Sequence, residues 1–124
     1  MKSKSSFNYV CPGCFERVNK CKCNKAPDYL IQIDYKLQDT IKELNNLGYI
    51  TQACCEGHYT KGVEIVPYIL FVNRPDTKPE GWAIRGSGIY CYINVNSKNE
   101  FKVAQDCAIN ALINWTKTLD KFKI

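Results

Sequence analysis

Asp34-Tyr-Lys-Leu-Gln-Asp-Thr-Ile-Lys-Glu-Leu-Asn-Asn-Leu-Gly48-Tyr-Ile-Thr-Gln-Ala-Cys-Cys-Glu-Gly-His58 sets the architecture of this chain. Leu37, Ile41, Leu44 and Leu47 recur at spacings of four, three and three. That interval puts them on one face of an α-helix, which repeats every ~3.6 residues. Lys36, Gln38, Asp39, Lys42 and Glu43 fill the other faces. Asp34 has the chemistry of an N-cap and Gly48 that of a glycine beyond the C-cap. The pattern predicts a helix over 34–47. Tyr49-Ile50-Thr51-Gln52-Ala53-Cys54 predicts a strand, opened by aromatic and β-branched residues. Cys55-Glu56-Gly57-His58 predicts a turn.

Outward from there, Val66-Pro67-Tyr68-Ile69-Leu70-Phe71-Val72 is a near-continuous apolar run and predicts a buried strand. Pro67 cannot donate to a ladder, so it belongs at the start of that strand or on an edge. Residues 74–81 form a proline-punctuated loop, and Trp82-Ala83-Ile84-Arg85 reads as extended. After Gly86-Ser87-Gly88, the residues Ile89, Cys91, Ile93 and Val95 alternate with Tyr90, Tyr92 and Asn94. That alternation is the mark of a half-buried strand. Asn96 or Ser97 can cap a final long helix, with Phe101, Ala104, Ala108, Ala111, Leu112, Trp115, Leu119 and Phe122 along one face. Strands clustered between two helices predict an α+β fold. Its sheet is antiparallel or mixed, with both helices on one face.

The chain has 124 residues, 45% of them apolar and 23% charged, which fits one soluble domain and not a disordered chain. The net charge of +5 is unevenly placed. Lys2, Lys4, Arg17, Lys20, Lys22 and Lys25 face only Glu16 in residues 1–25, so the whole excess lies there. The rest of the chain is balanced and has no compositional reason to seek phosphate. There is no apolar leader and no long apolar run, so a cytoplasmic protein is expected, without a membrane. The eight cysteines are then expected as metal ligands or thiols.

Four of them read Cys11-Pro-Gly-Cys14-Phe-Glu-Arg-Val-Asn-Lys-Cys21-Lys-Cys23. A Cys-Pro-Gly-Cys turn sets two sulfurs side by side, because Pro presets φ and Gly permits the tight return. Cys21 and Cys23 complete a tetrahedron in which Zn–S is about 2.3 Å. One structural zinc is expected, with residues 1–25 as a knuckle and residues 26–124 as the α+β domain. Four thiolates leave no open position, so this metal is not expected to be catalytic. The alternative is local disulfides or reduced thiols. The spacing resembles the zinc knuckles of small phage proteins and of archaeal relatives of translation initiation factor one. That resemblance implies the metal and no shared function.

Arg17, Lys20, Lys22 and Lys25 around this knuckle are candidate nucleic-acid contacts, with Phe7, Tyr9 and Phe15 available for stacking. Equally, lysines beside a thiolate cluster offset its charge or meet a protein partner.

Cys54-Cys55-Glu56-Gly57-His58 holds the chain's single histidine. Three chemistries compete for it. A thiol of Cys54 or Cys55 is activated by His58, with Glu56 orienting the ring. Cys55 and His58 belong to a second metal site, completed by Glu56 or Cys91. Or the cysteines are small buried hydrophobes closing a turn. Arg74, Trp82 and Arg85 lie in loops that would suit a nucleotide-like anion if they met Cys55, Glu56, Gly57 and His58. No dinucleotide or P-loop glycine motif is present.

Leu44-Asn45-x-x-Gly48-Tyr49-x-Thr51, followed by Cys54-Cys55-x-Gly57-His58 and a Tyr-Ile strand, resembles a group of small proteins of phages and mobile elements of low-GC bacteria over residues 34–95. The helix and Tyr-x-Thr-x-x-Cys core is also similar to the tRNA wybutosine-synthesis methyltransferase family, which has Ser-Cys-Ser-Gly-Arg in place of Cys54–His58. That likeness implies only the α+β architecture. The expected function is a zinc-containing binding protein of mobile-element type that engages nucleic acid or a complex containing it. The alternative is a small-ligand sequestering protein or enzyme working at the Cys-Cys-Glu-Gly-His turn.

Overall fold

The computed structural model describes residues 7–10, 31–60 and 63–122. Strand β1 (Phe7–Val10) pairs antiparallel with β2 (Ile31–Asp34), Phe7 opposite Asp34 and Val10 opposite Ile31. A turn of 3-10 helix (Tyr35–Leu37) leads into α1 (Gln38–Asn46). Then come β3 (Thr51–Cys55), β4 (His58–Thr60), β5 (Val63–Ile65), β6 (Tyr68–Phe71), β7 (Ala83–Arg85), β8 (Gly88–Tyr90) and α2 (Lys98–Thr116). The main sheet is antiparallel in the order β3-β6-β8-β7, and β4-β5 is a separate hairpin. The α+β architecture expected from the sequence is present. Among the described residues no helix is long and apolar enough to cross a membrane.

The core lies between the helices and one sheet face. Leu37, Ile41 and Leu44 of the first helical segment bury fully, as their spacing requires. They meet Ile69, Phe71 and Ile89 from the sheet and Ala108, Ile109, Leu112 and Trp115 from α2. Each large side chain so buried contributes about 1.5–3 kcal/mol relative to exposure. Because Ile69 and Phe71 point inward, Tyr68 and Leu70 point to the opposite face, as the period of two along a strand demands.

Three boundaries differ from expectation. Asp34 is not a helix cap: β2 ends on it, and α1 starts four residues later, at Gln38, with no side-chain cap. The ladder of β8 ends at Tyr90, short of Val95, although Ile93 still buries. α2 ends at Thr116, short of Leu119 and Phe122, both expected along its face. By contrast, Ser97 caps α2 as expected, its hydroxyl accepting the Glu100 N–H at 3.2 Å. Gly48 adopts φ +98 beyond α1. Asn45 and Asn73 then pin the turn into β3, since Asn45 Oδ1 accepts the Thr51 N–H and Asn73 Oδ1 the Ile50 N–H.

The expected knuckle ligands Cys11, Cys14, Cys21 and Cys23, and the basic residues Arg17, Lys20, Lys22 and Lys25, lie outside the described residues. Cys54, Cys55, Cys91 and Cys107 are free cysteines.

Candidate functional site

The Cys-Cys-Glu-Gly-His turn closes the end of β3. Cys54 pairs with Ile69 on the core side, and Cys55 pairs with Tyr68 on the other face. Glu56 and Gly57 form the corner, and His58 starts β4. Gly57 sits at φ +92, where an L side chain is strained, and a Cβ there would stand 2.9 Å from Pro67 Cδ. Only glycine fits this corner.

Two side chains, of Asp34 and Gln105, and the Lys36 backbone N–H hold it. Asp34 Oδ2 accepts the Glu56 N–H at 2.8 Å and lies 3.5 Å from His58 Nε2. Glu56 Oε1 accepts the Lys36 N–H at 3.2 Å. Gln105 of α2 donates from Nε2 to both the Glu56 and Gly57 carbonyls at 2.9 Å. Lys36 Nζ in turn donates to Gln105 Oε1 at 2.8 Å and pairs with Asp106 at 3.2 Å. Asp34, Cys55 and His58 bring one donor atom each to within 4.8 Å of one another.

Burial pushes the Cys54 thiol up to about 12, helped by the nearby Asp34 and Cys55 charges. Burial also raises Cys55, which additionally donates to Asp34. At neutral pH both therefore keep their protons, and neither is the thiolate that nucleophilic chemistry needs. Burial raises Glu56 too, against the Lys36 N–H that stabilises its carboxylate. Coordination of a metal is the remaining route to a thiolate at this turn.

Two surfaces adjoin the turn. On the α2 side is an open cleft of about 520 Å³, lined by Glu56, His58, Tyr59, Lys98, Lys102 and others. Tyr59 and Phe101 pack there with ring centroids 5.7 Å apart. Neither Lys98 nor Lys102 pairs with an acid among the described residues.

On the sheet face turned away from the helices, Tyr68, Tyr90 and Tyr92 form a row. Tyr68 and Tyr90 are cross-strand partners with centroids 5.8 Å apart, and Tyr90 and Tyr92 stack at 6.0 Å with planes 12° apart. The Arg85 guanidinium lies 6.0 Å from the Tyr92 ring centre. Tyr92 is 57% exposed. Strands β3, β6, β7 and β8 carry no Asp or Glu.

The seven residues expected at one ligand site do not all meet. Cys55, Glu56, Gly57 and His58 do. Trp82 is a core residue, 3% exposed, its indole N–H donating to the Ala108 carbonyl at 3.1 Å. Arg74 spends its guanidinium on the adjacent Pro75 carbonyl and on the Gly86 carbonyl in the turn between β7 and β8. Arg85 lies on β7, three ladder steps from β3 across the sheet, about 14 Å at ~4.8 Å per step. It meets the tyrosine row instead. Cys91 lies away from the turn, its thiol 3.6 Å from the Gly81 carbonyl.

Sequence reasoning missed Asp34, Lys36 and Gln105 at the turn, and the tyrosine row. Only the alternation of Tyr90 and Tyr92 with apolar residues hinted at a shared outer face.

No family model, curated protein or solved structure matches the chain.

Proposed function

We propose that the protein binds single-stranded nucleic acid on the sheet face that carries Tyr68, Tyr90 and Tyr92. The observation that supports this most is the tyrosine row beside Arg85: Tyr68 and Tyr90 stand on a sheet whose four strands carry no carboxylate, and Tyr92 follows just beyond β8. Bases of any identity stack on aromatic rings, at about 1–3 kcal/mol per base, and guanidinium groups take the phosphates. The sheet supplies these groups on a rigid support, so stacking costs little ordering. The basic segment 1–25 adds sequence-independent attraction to phosphate.

The test is anisotropy titration of labelled single-stranded RNA and DNA across salt concentrations. Tyr92→Ala is expected to weaken binding by about 5- to 150-fold, the equivalent of one stacked base, while Tyr92→Phe keeps it. Arg85→Ala should lower the salt slope by about one. Both side chains are exposed, so neither change threatens the core. Absence of binding at low salt would refute the proposal. So would affinity that depends on Lys20, Lys22 and Lys25 but is indifferent to Tyr92 and Arg85.

A second surface favours a smaller ligand of related chemistry. The cleft beside His58 combines Lys98 and Lys102, which pair with no acid among the described residues, with the Tyr59 ring and is large enough for a nucleotide unit. Titration with nucleoside triphosphates against a Lys98→Glu, Lys102→Glu double variant separates it from the tyrosine face. Loss of nucleotide binding with unchanged oligonucleotide binding would place the two ligands on different surfaces.

A further inference from the structure

We propose that Asp34, Cys55 and His58 form a zinc site that ties β2, β3 and β4 together at the end of the tyrosine row. The site uses none of the four cysteines of residues 11–23 and does not depend on the nucleic-acid proposal.

The three donors come from three strands and converge within 4.8 Å. Around a tetrahedral zinc, with Zn–N and Zn–O of about 2.0–2.1 Å and Zn–S of about 2.3 Å, neighbouring donors lie about 3.3–3.7 Å apart. The Asp34 Oδ2 to His58 Nε2 distance of 3.5 Å already falls in that range. The remaining contraction is therefore small and confined to side chains.

Donor chemistry selects the metal. One sulfur, one imidazole nitrogen and one carboxylate oxygen suit zinc better than the hard cations magnesium and calcium, which want oxygen alone. Charge also favours it. A thiolate and a carboxylate together neutralise Zn²⁺, so the half-buried site gains a dication without net charge. The Cys55 thiol gives up its proton to solvent as the Zn–S bond forms.

The outer shell is in place as well. The Glu56 N–H donates to Asp34 Oδ2 at 2.8 Å, and the Gly57 N–H points at Cys55 Sγ from 3.3 Å. Partners of this kind orient ligands and stabilise the coordinated thiolate. Gly57 fixes both amides, since its corner admits no side chain. Without a metal, the Cys55 thiol donates to Asp34 and Asp34 pairs with His58, so the same three groups already face one another. Three protein donors leave a fourth position for water or for a ligand oxygen. His58 is the donor that also lines the cleft.

The experiment uses the fact that the full chain has a single histidine. Every imidazole resonance therefore reports on His58. The intact ¹⁵N-labelled protein is stripped with chelator and titrated with ZnCl₂. The imidazole nitrogens are expected to shift and to saturate with one equivalent more zinc than the N-terminal cysteines take. In Asp34→Asn and Cys55→Ser the zinc needed for that shift should rise by at least about 10-fold, the least that loss of even an outer-shell partner costs. Asp34→Asn keeps an oxygen for the Glu56 N–H, and the amide spectrum reports whether each variant remains folded. Imidazole signals that ignore zinc overturn the proposal, as does an identical response in folded Cys55→Ser. Metal analysis of the chains as purified gives a second readout. Cys55→Ser should carry one zinc fewer than the parent, and equal contents would overturn the proposal independently of refolding.

Discussion

Gly57 carries more structural consequence than any other single residue at the turn. Its φ of +92 is left-handed, and Pro67 closes the space where a Cβ would go. Gly57→Ala is expected to cost about 2–4 kcal/mol, combining the left-handed penalty with overpacking. Urea unfolding checks this, and an unchanged midpoint would mean the corner relaxes freely. Cys91 illustrates a different residue-scale effect. Burial raises its thiol above the ordinary 9.0. The native state then holds this proton more tightly than the unfolded chain. The stability it contributes is complete below pH 9.0 and is lost as pH rises above it. Cys91→Ala should therefore lose less stability than the parent on raising the pH past 9.0, as thermal melts would show. The same burial predicts an order of alkylation near neutral pH, read by peptide mass spectrometry: exposed Cys107 ahead of Cys91.

At the scale of elements, α2 both covers the sheet and holds the turn. Its start was legible from sequence, because an N-cap is a local event: Ser97 meets the Glu100 N–H within one helical turn. Ser97→Ala should cost about 1 kcal/mol and fray only the first turn, visible as faster amide exchange there. Gln105 was not legible. It is a polar residue on a helix, and nothing local distinguishes it from solvated neighbours. Yet it is buried, and its amide satisfies the carbonyls of Glu56 and Gly57. Gln105→Leu leaves both carbonyls without that donor and should cost about 1–3 kcal/mol. The loosening should appear as faster amide exchange around residues 56–58 than around residues 69–71. Equal protection in the two regions would show that α2 does not brace the turn. Asp34 failed for a related reason. Its carboxylate suits an N-cap, but pairing with β1 holds the backbone extended through it, and the freed carboxylate turns to the Glu56 N–H instead.

At the scale of the whole molecule, the charge excess and the aromatic row fall in different parts of the sequence. The +5 excess belongs to residues 1–25, whereas Tyr68 and Tyr90 lie on strands without acids and Tyr92 just beyond them. The two features predict different responses in one binding experiment. Charge reversal at Lys20, Lys22 and Lys25 should flatten the salt dependence of oligonucleotide binding and leave the Tyr92 effect intact. A Tyr92→Ala effect that vanished along with those lysines would mean the rings contact no base.

The sequence by itself determined the apolar face of the first helix, that of the second as far as Trp115, the glycine corners at 48 and 57, a cap at Asn96 or Ser97 and the place of the positive charge. Each depends on neighbours within a few residues, so helical period, φ preference and capping chemistry suffice to read it. Only the tertiary structure decided that Asp34 joins Cys55 and His58, that Trp82 turns inward and that Arg85 meets Tyr92. Those outcomes depend on which strands pair and in what register. Register is set by packing across the sheet, between residues whose separation along the chain carries no periodic signal.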